Sequence, residues 1–286
     1  MSTTLPLNPP LSSPGYDVTG RVFLITGGTQ GLGLGIARQL KERGAKGLVV
    51  VSRNAQKGGE VVDELTTRDG TCICHFLQAD LGIHEQAQAV IPKAVDIMQA
   101  VGPISGVVNA AAITARGNLQ TTTVDGFDIQ MAINVRAPFL ITQAASKHMI
   151  ASNVRGSIVN ISSCAAHGGA PFIMAYSVSK AALNALTLNN AHELAPHGIR
   201  VNSINMGWCV TENETALQTA AMGDDWTAKA DAGVPLGRIL RPEDVAATVG
   251  FLLSDSSSMM TGNCINLHPE YPHGMLSLLD DETKGR

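Results

Sequence analysis

From Arg21 onward the chain alternates between two textures, and that alternation restricts its fold more than any other feature. Short apolar, β-branched-rich runs cover Val22–Ile25, Leu48–Val51, Cys72–Leu77, Gly106–Val108, Ser157–Val159, Arg200–Ile204 and Cys264–Leu267. Between them lie alanine-rich stretches of helical period near residues 32–43, 55–68, 84–101, 125–151, 176–195 and 242–254. Seven strands interleaved with six helices read as βαβ units. Strands that are continuously apolar are those buried on both faces, so the expected architecture is α/β: a doubly wound, seven-stranded parallel sheet with helices on both faces, in a single domain. With 44% hydrophobic and 15% charged residues in 286, the chain can fill the core such a sheet needs.

Composition also excludes several classes. A net charge of −4 gives no basis for expecting nucleic acid or an anionic membrane as partner. The cysteines, Cys72, Cys74, Cys164, Cys209 and Cys264, are odd in number and scattered, with no paired CxxC, so no zinc or other metal site is expected and a reducing cytoplasm is. Cys72 and Cys74 share one side of their strand by alternation. No apolar run approaches the roughly 18 residues of a membrane span. Residues 1–17 are rich in proline and serine, lack the basic and apolar blocks of a secretion signal, and read as a flexible tail. The folded domain is expected over residues 18–268, with a second tail at 269–286.

Parallel sheets of this kind bind ligands beyond the carboxyl ends of their strands. The segments after the first six runs are TGGTQGLGLG (26–35), Ser52-Arg53-Asn54, Ala79-Asp80-Leu81, Asn109–Ala112, Ile161-Ser162-Ser163 and Asn205–Trp208. In the first, Gly27, Gly31 and Gly33 have the spacing GxxxGxG rather than the GxGxxG dinucleotide fingerprint. The physics is shared: glycine permits a tight turn and close approach of a pyrophosphate, and the helix beginning near Leu32 offers its positive end. The second strand end should read the adenosine ribose. An acid there suits the 2′-hydroxyl of NAD; here Ser52 and Arg53 stand instead and suit a 2′-phosphate, so NADP is expected, with NAD as the alternative. Asp80 is placed for the adenine amino group. The cofactor set along these ends is Gly27, Thr29, Gly31, Leu32, Gly33, Ser52, Arg53, Asp80, Leu81 and Asn109.

Residues 176–180 read YSVSK. The i, i+4 spacing puts Tyr176 and Lys180 on one helix face, which fits either a solvated face or an acid/base pair. The wider pattern decides between them. TGGTQGLG, Ala79-Asp80, NAAA at 109–112, Asn134 in INVRAPF, NISS at 160–163, YSVSK and HGIRVNSINMG at 197–207 occur in the order of the short-chain dehydrogenase/reductase family. The chain resembles that family over residues 18–268, and the resemblance implies the Rossmann-like version of the sheet described above. It implies Tyr176 as general acid/base and Lys180 as the holder of the nicotinamide ribose, its charge lowering the tyrosine pKa. It implies Ser163 as the hydrogen-bond partner of the substrate oxygen, with Ser162 as the alternative, and Asn134 as the holder of a water in the proton relay. Tyr176, Lys180, Gly207 and Thr211 join the cofactor set by the same resemblance.

The chain departs from the family pattern in places. Ala112 stands where glycine is usual, Met206-Gly207 where proline-glycine is, and His268-Pro269-Glu270 where an Asp-Gly-Gly turn is. Residues 208–236 interrupt the strand–helix alternation and are long enough for two short helices forming a lid. Cys164, His167, Phe172, Met174 and Trp208 are the candidate substrate contacts. Together these features imply an NADP-preferring oxidoreductase that interconverts a secondary alcohol and a ketone, with a polyol, sugar or hydroxy-ketone favoured as the small-molecule substrate. The family's habit implies a homotetramer or homodimer. The competing readings are a non-redox enzyme using the same Tyr–Lys pair, such as an epimerase or dehydratase, and a catalytically silent NADP-binding regulator.

Overall fold

The computed structural model describes residues 16–269. The two sequence-predicted tails therefore lie outside the described residues, except at their inner ends. At the first of these, Tyr16 is buried in the core rather than part of a free tail. Its ring occupies the space that a side chain at Gly250 would need.

Seven strands form one sheet in the order β3-β2-β1-β4-β5-β6-β7, with every neighbouring pair parallel. They are β1 (Val22–Thr26), β2 (Gly47–Ser52), β3 (Ile73–Gln78), β4 (Ile104–Asn109), β5 (Ser157–Ser163), β6 (Arg200–Met206) and β7 (Cys264–Leu267). The helices are α1 (Gly31–Glu42), α2 (Ala55–Leu65), α3 (His84–Met98), α4 (Val124–Met131), α5 (Ala137–Ala151), α6 (Met174–Leu194), α7 (Glu212–Met222), α8 (Trp226–Ala232) and α9 (Pro242–Leu253). All five residues of β1 and all seven of β5 are buried, as continuous apolar strands covered on both faces must be. Two apolar clusters lie on opposite sides of the sheet: Phe23, Ile25, Leu48 and Val50 face one, Val22, Leu24, Val49 and Val51 the other. Cys72 and Cys74 share the first cluster, as their alternation predicts.

Several boundaries differ from expectation. The single helix expected over 125–151 is two helices joined by a π-helical turn at Ala132–Arg136. The buried amide of Asn134, at the centre of that turn, bonds sideways to the loop after β4, and a π-turn is the local form that lets one residue leave the regular ladder. β5 and β6 run four and two residues past their expected ends, because their polar ends Asn160, Ser162, Ser163 and Asn205 pair in register across the two strands. α2 and α3 stop three residues short of the predicted ends, at Leu65 and Met98.

Polar side chains buried near the carboxyl ends of the central strands bond to one another. Asn109 Nδ2 donates to Asn160 Oδ1 (2.8 Å), and Asn160 Nδ2 donates to Thr187 Oγ1 on α6 (2.9 Å). Thr26 Oγ1 accepts from the backbone of Ala110 (3.0 Å) and Ala111 (3.1 Å), fastening the end of β1 to the turn after β4. Each bond links elements far apart in sequence and leaves a buried orphan if broken. Asn160→Ala is expected to lower unfolding stability by about 1–3 kcal/mol, measured by urea denaturation, because it strands the buried Asn109 Nδ2 donor, while Thr187 Oγ1 keeps its bond to Leu183 O.

Candidate active site

The glycine turn has the geometry a pyrophosphate requires. Gly27 has φ +68°, and a Cβ there would lie 3.0 Å from Ala111 Cα. A Cβ on Gly33 would lie 2.3 Å from Gly27 O, so α1 can enter against the turn only with glycine at 33. Gln30, at the N-cap of α1, makes no side-chain cap, so the first N–H groups of the helix have no side-chain acceptor there. Thr211, the N-cap of α7, sits over Gly31, its Cβ 3.7 Å from where a Gly31 Cβ would be. The residues predicted at the first and sixth strand ends thus meet across one crevice.

At the second strand end Ser52 Oγ accepts from Thr29 Oγ1 (2.9 Å), while Arg53 is exposed and makes no ion pair among the described residues. A cavity of about 450 Å³ lies beside it, lined by Arg53, Gln78, Asp80, Ile83 and Gln86. One Asp80 carboxylate oxygen accepts from Gly82 N (2.9 Å). Lys57, absent from the sequence-based set, reaches across the turn and donates to Gln30 Oε1 (2.8 Å). Its signal was present in the chain: a cation in the first turn of a helix opposes the helix dipole, and an anion nearby would account for it. Two predicted cofactor residues are placed differently. The Leu81 side chain packs in the core, and the Asn109 side chain is buried at the end of β4, its Nδ2 bonded to Asn160 and its Oδ1 without a hydrogen-bond partner among the described residues.

The four predicted catalytic residues come together at the carboxyl end of β5. The two serines separate by strand alternation. Ser162 Oγ turns under α6 and donates to Lys180 O (3.3 Å), whereas Ser163 hydrogen-bonds toward the Tyr176 phenol. This leaves Ser163 rather than Ser162 beside the reacting group. Lys180 is 2% exposed and donates from Nζ to Ile161 O (2.7 Å); Nζ lies 5.5 Å from the centre of the Tyr176 ring. Asn134 is fully buried. Its amide accepts from Ile113 N (3.0 Å) and donates to Ile113 O (3.0 Å) and Ser179 Oγ (3.0 Å). Direct bonds to the β4 loop and α6 therefore occupy both of its N–H groups.

The expected lowering of the tyrosine pKa rested on the lysine charge together with that of oxidised nicotinamide. In the protein itself, burial dominates both groups: it pushes the Lys180 ammonium down to about 7 and the Tyr176 phenol up. Tyr176 is partly exposed along the crevice, yet enough protein surrounds its hydroxyl for burial to outweigh the other influences. Hydrogen bonds from Ser163 and Thr114 act in the opposite direction. Thr114 was not among the predicted site residues.

The insertion over residues 208–236 forms two helices, α7 and α8, as its length suggested. Trp208 is not free to stack on a ligand. Its indole N–H donates to Glu214 Oε1 (2.7 Å), its ring packs on the buried Trp226 with centroids 5.6 Å apart, and it joins the small lid core of Val234 and Ile239. His167 is exposed and bonds through Nε2 to Asn266 Oδ1 (3.1 Å), at the rim rather than against the phenol. Cys164 follows Ser163 directly and is close enough to Tyr176 to influence its ionisation. Phe172 is exposed at the mouth with Arg116 stacked over it, 5.9 Å from guanidinium carbon to ring centre.

A family model described as enoyl-(acyl carrier protein) reductase matches residues 27–267. The chain is 36% identical over 249 residues to an uncharacterized oxidoreductase of Methylorubrum extorquens, covering 86% of this chain and 96% of the relative. The chain belongs to the short-chain dehydrogenase/reductase family. It is 35% identical over 249 residues to L-xylulose reductase of Bos taurus, covering 87% of this chain and 95% of that one. Its fold matches the crystal structure of a 3-oxoacyl (acyl-carrier-protein) reductase from Agrobacterium tumefaciens with NADP bound, with TM-score 0.80, 25% identity, and 89% and 95% of the two chains covered. Membership makes the protein a nicotinamide-dependent oxidoreductase acting on CH–OH groups. Among the described residues there is no cluster suited to a metal and no helix long and apolar enough to cross a membrane.

The depressed Lys180 has a measurable consequence. Between about pH 7 and the free-lysine value near 10.4, the unfolded chain holds a proton on this group that the folded chain has lost, so this group favours unfolding more as pH falls. Replacing Lys180 by Met removes that penalty. The stability of Lys180→Met relative to the native protein is expected to be greatest near pH 7 and to decline as pH rises toward 10, measured by urea unfolding across that range.

Proposed function

We propose that this enzyme is an NADP(H)-preferring reductase and dehydrogenase that interconverts a secondary alcohol and a ketone on a small polyol, sugar or hydroxy-ketone. The observation that carries the reading is the phenol of Tyr176, set between the Ser163 hydroxyl and the buried Lys180 and opening on the same crevice as the glycine turn. The relative named L-xylulose reductase acts, by its name, on a sugar ketone, which supports that substrate class. The fold neighbour with NADP bound supports the cofactor.

Bound nicotinamide accepts or supplies the hydride, and in its oxidised form it adds a positive charge to the site. The protein's part is to hold atoms and move a proton. The Gly27–Gly33 turn and the first N–H groups of α1 would take the pyrophosphate, Lys180 the ribose hydroxyls, and Arg53, Lys57 and the Thr29–Ser52 hydroxyl pair a 2′-phosphate. Ser163 would orient the substrate oxygen. Tyr176 Oη would give its proton to that oxygen as the ketone is reduced and take it back as the alcohol is oxidised. The Asn134 amide would brace the loop after β4 and, through Ser179, the first turns of α6, so that the phenol keeps its place. Exposed Phe139 and Ile150 on α5 and Val178 and Leu188 on α6 support a homotetramer or homodimer formed through these helices.

Two outcomes test the reading. Tyr176→Phe should bind NADPH as the native protein does, with turnover reduced by about 10²–10⁴, the usual worth of general acid–base catalysis; undiminished turnover would refute the role. Arg53→Ala should weaken NADPH about tenfold or more while leaving NADH nearly unchanged, as follows from losing one charge-assisted contact to a phosphate. Titration of cofactor fluorescence reads both affinities, and an NADH advantage in the native protein would overturn the preference.

A further inference from the structure

Glu214 lies in the first turn of α7, and two donors hold one of its carboxylate oxygens. Trp208 Nε1 and Gln218 Nε2 both donate to Oε1, each at 2.7 Å. Gln218, one turn along the same helix, is 7% exposed, and the Trp208 ring packs on the buried Trp226, so both donors are fixed. No donor among the described residues reaches Oε2. The helix dipole favours an acid in the first turn, and the exposed Glu212 already meets that need. It does not call for a half-buried carboxylate held by two donors. The residue is also placed at the crevice. Trp208 stands two residues beyond Met206, the last residue of β6, which pairs in register with Ser163. Val210 N donates to Leu240 O (2.9 Å) and Leu240 N to Trp208 O (2.9 Å), so the segment carrying the indole cannot slide. Thr211, seated over Gly31, caps α7 by accepting from Glu214 N (3.2 Å). Glu214 thus has its backbone beside the cofactor turn and its carboxylate beside the end of the strand that neighbours Ser163. Its charge reaches Tyr176, whose anion it disfavours.

We propose that Glu214 is a specificity-determining residue of the active site, its Oε2 accepting a hydrogen bond from a substrate hydroxyl other than the one that reacts. The substrate class follows from the chemistry of the group. An ionised carboxylate only accepts, so whatever faces it must donate. In a molecule whose reacting centre is a carbinol or a ketone, that donor is a further hydroxyl. The bond is of the stronger, charge-assisted kind. Trp208 and Gln218 hold the carboxylate before substrate arrives, so little freedom is lost on binding. A polyol or hydroxy-ketone gives Oε2 a partner. A simple alcohol or ketone displaces water from it and leaves it unpaired, and a site built to bond a hydroxyl rejects the analogue that lacks one. Trp208 and Gln218 are then positioning residues, acting on substrate through Glu214.

The inference rests on the alcohol–ketone reading for its kinetic arm only. Glu214→Gln keeps an oxygen for Trp208 and Gln218 to bond and puts a donor in place of Oε2. With NADP⁺, the preference for xylitol over 2-butanol, taken as the ratio of their kcat/KM values, should fall about tenfold or more, the size expected for losing one hydrogen bond to a charged group. KM for xylitol should carry more of that change than kcat. Calorimetric titration of xylitol into NADP⁺-loaded Tyr176→Phe protein needs no turnover, and adding Glu214→Gln to that protein should weaken binding by a similar factor. An unchanged preference ratio, equal affinities in the two proteins, or no saturable binding of xylitol would each overturn the proposal. So would a loss of urea stability in Glu214→Gln with the preference intact, which would mark a carboxylate that only holds α7. Should Glu214→Gln misfold by circular dichroism, Glu214→Asp withdraws the carboxylate by one methylene and is read by the same ratio and affinity. Full turnover in Tyr176→Phe would instead be a failure of the enzymatic reading, distinguishable because the calorimetric comparison does not depend on it.

Discussion

An ammonium group sealed in the protein beneath a tyrosine ring, with one backbone carbonyl as its hydrogen-bond partner, is the constraint around which this site is arranged. A buried cation without a carboxylate is costly, and a structure keeps one only where surrounding elements hold it in place. Here they do. Ser162 secures the backbone of Lys180 from below, β5 supplies the Ile161 carbonyl, and α6 carries lysine and tyrosine on one face. Stability given up at Lys180 leaves a group whose charge responds to whatever enters the crevice, the usual reason for a strongly perturbed ionisation at a catalytic centre.

The second organising element is Asn134. One buried amide interrupts a helix as a π-turn, holds both backbone groups of Ile113 and reaches Ser179, whose hydroxyl bonds the Tyr176 carbonyl (2.7 Å). It thereby connects the helix before β5, the loop after β4 and the helix bearing the acid/base pair. These three pieces come from distant parts of the chain. The sheet brings their ends near one another, and this amide sets their relative register.

Much of this was legible in the residues. Apolar runs spaced by helical stretches announced a parallel sheet, and the carboxyl-end rule directed attention to the glycine turn, to Ser52 and Arg53 and to the serines of β5. What was hidden had physical causes. The stretch over 125–151 does carry a breaker, Pro138, which has no N–H to donate to the Asn134 carbonyl, but the side-chain bonds from Asn134 to residue 113 that accompany the π-turn are long-range and show in no window of the chain. Trp208 was compatible with stacking on a ligand; only its contacts with Glu214 and Trp226 assign it to the lid core. Ser162 and Ser163 could not be ranked by type alone, but once β5 continues through both, alternation sends them to opposite sides.

The order of elements, the flexible turn after β1, and the four-residue spacing of tyrosine and lysine were determined by the sequence by itself, because each depends on local periodicity or on one residue's backbone freedom. The tertiary structure alone decided which serine faces the phenol, that Leu81 and the Asn109 amide turn inward, and that burial pushes the lysine pKa down. Burial and long-range hydrogen bonding govern all of these, and both are properties of the assembled sheet and helices that no window of the chain contains.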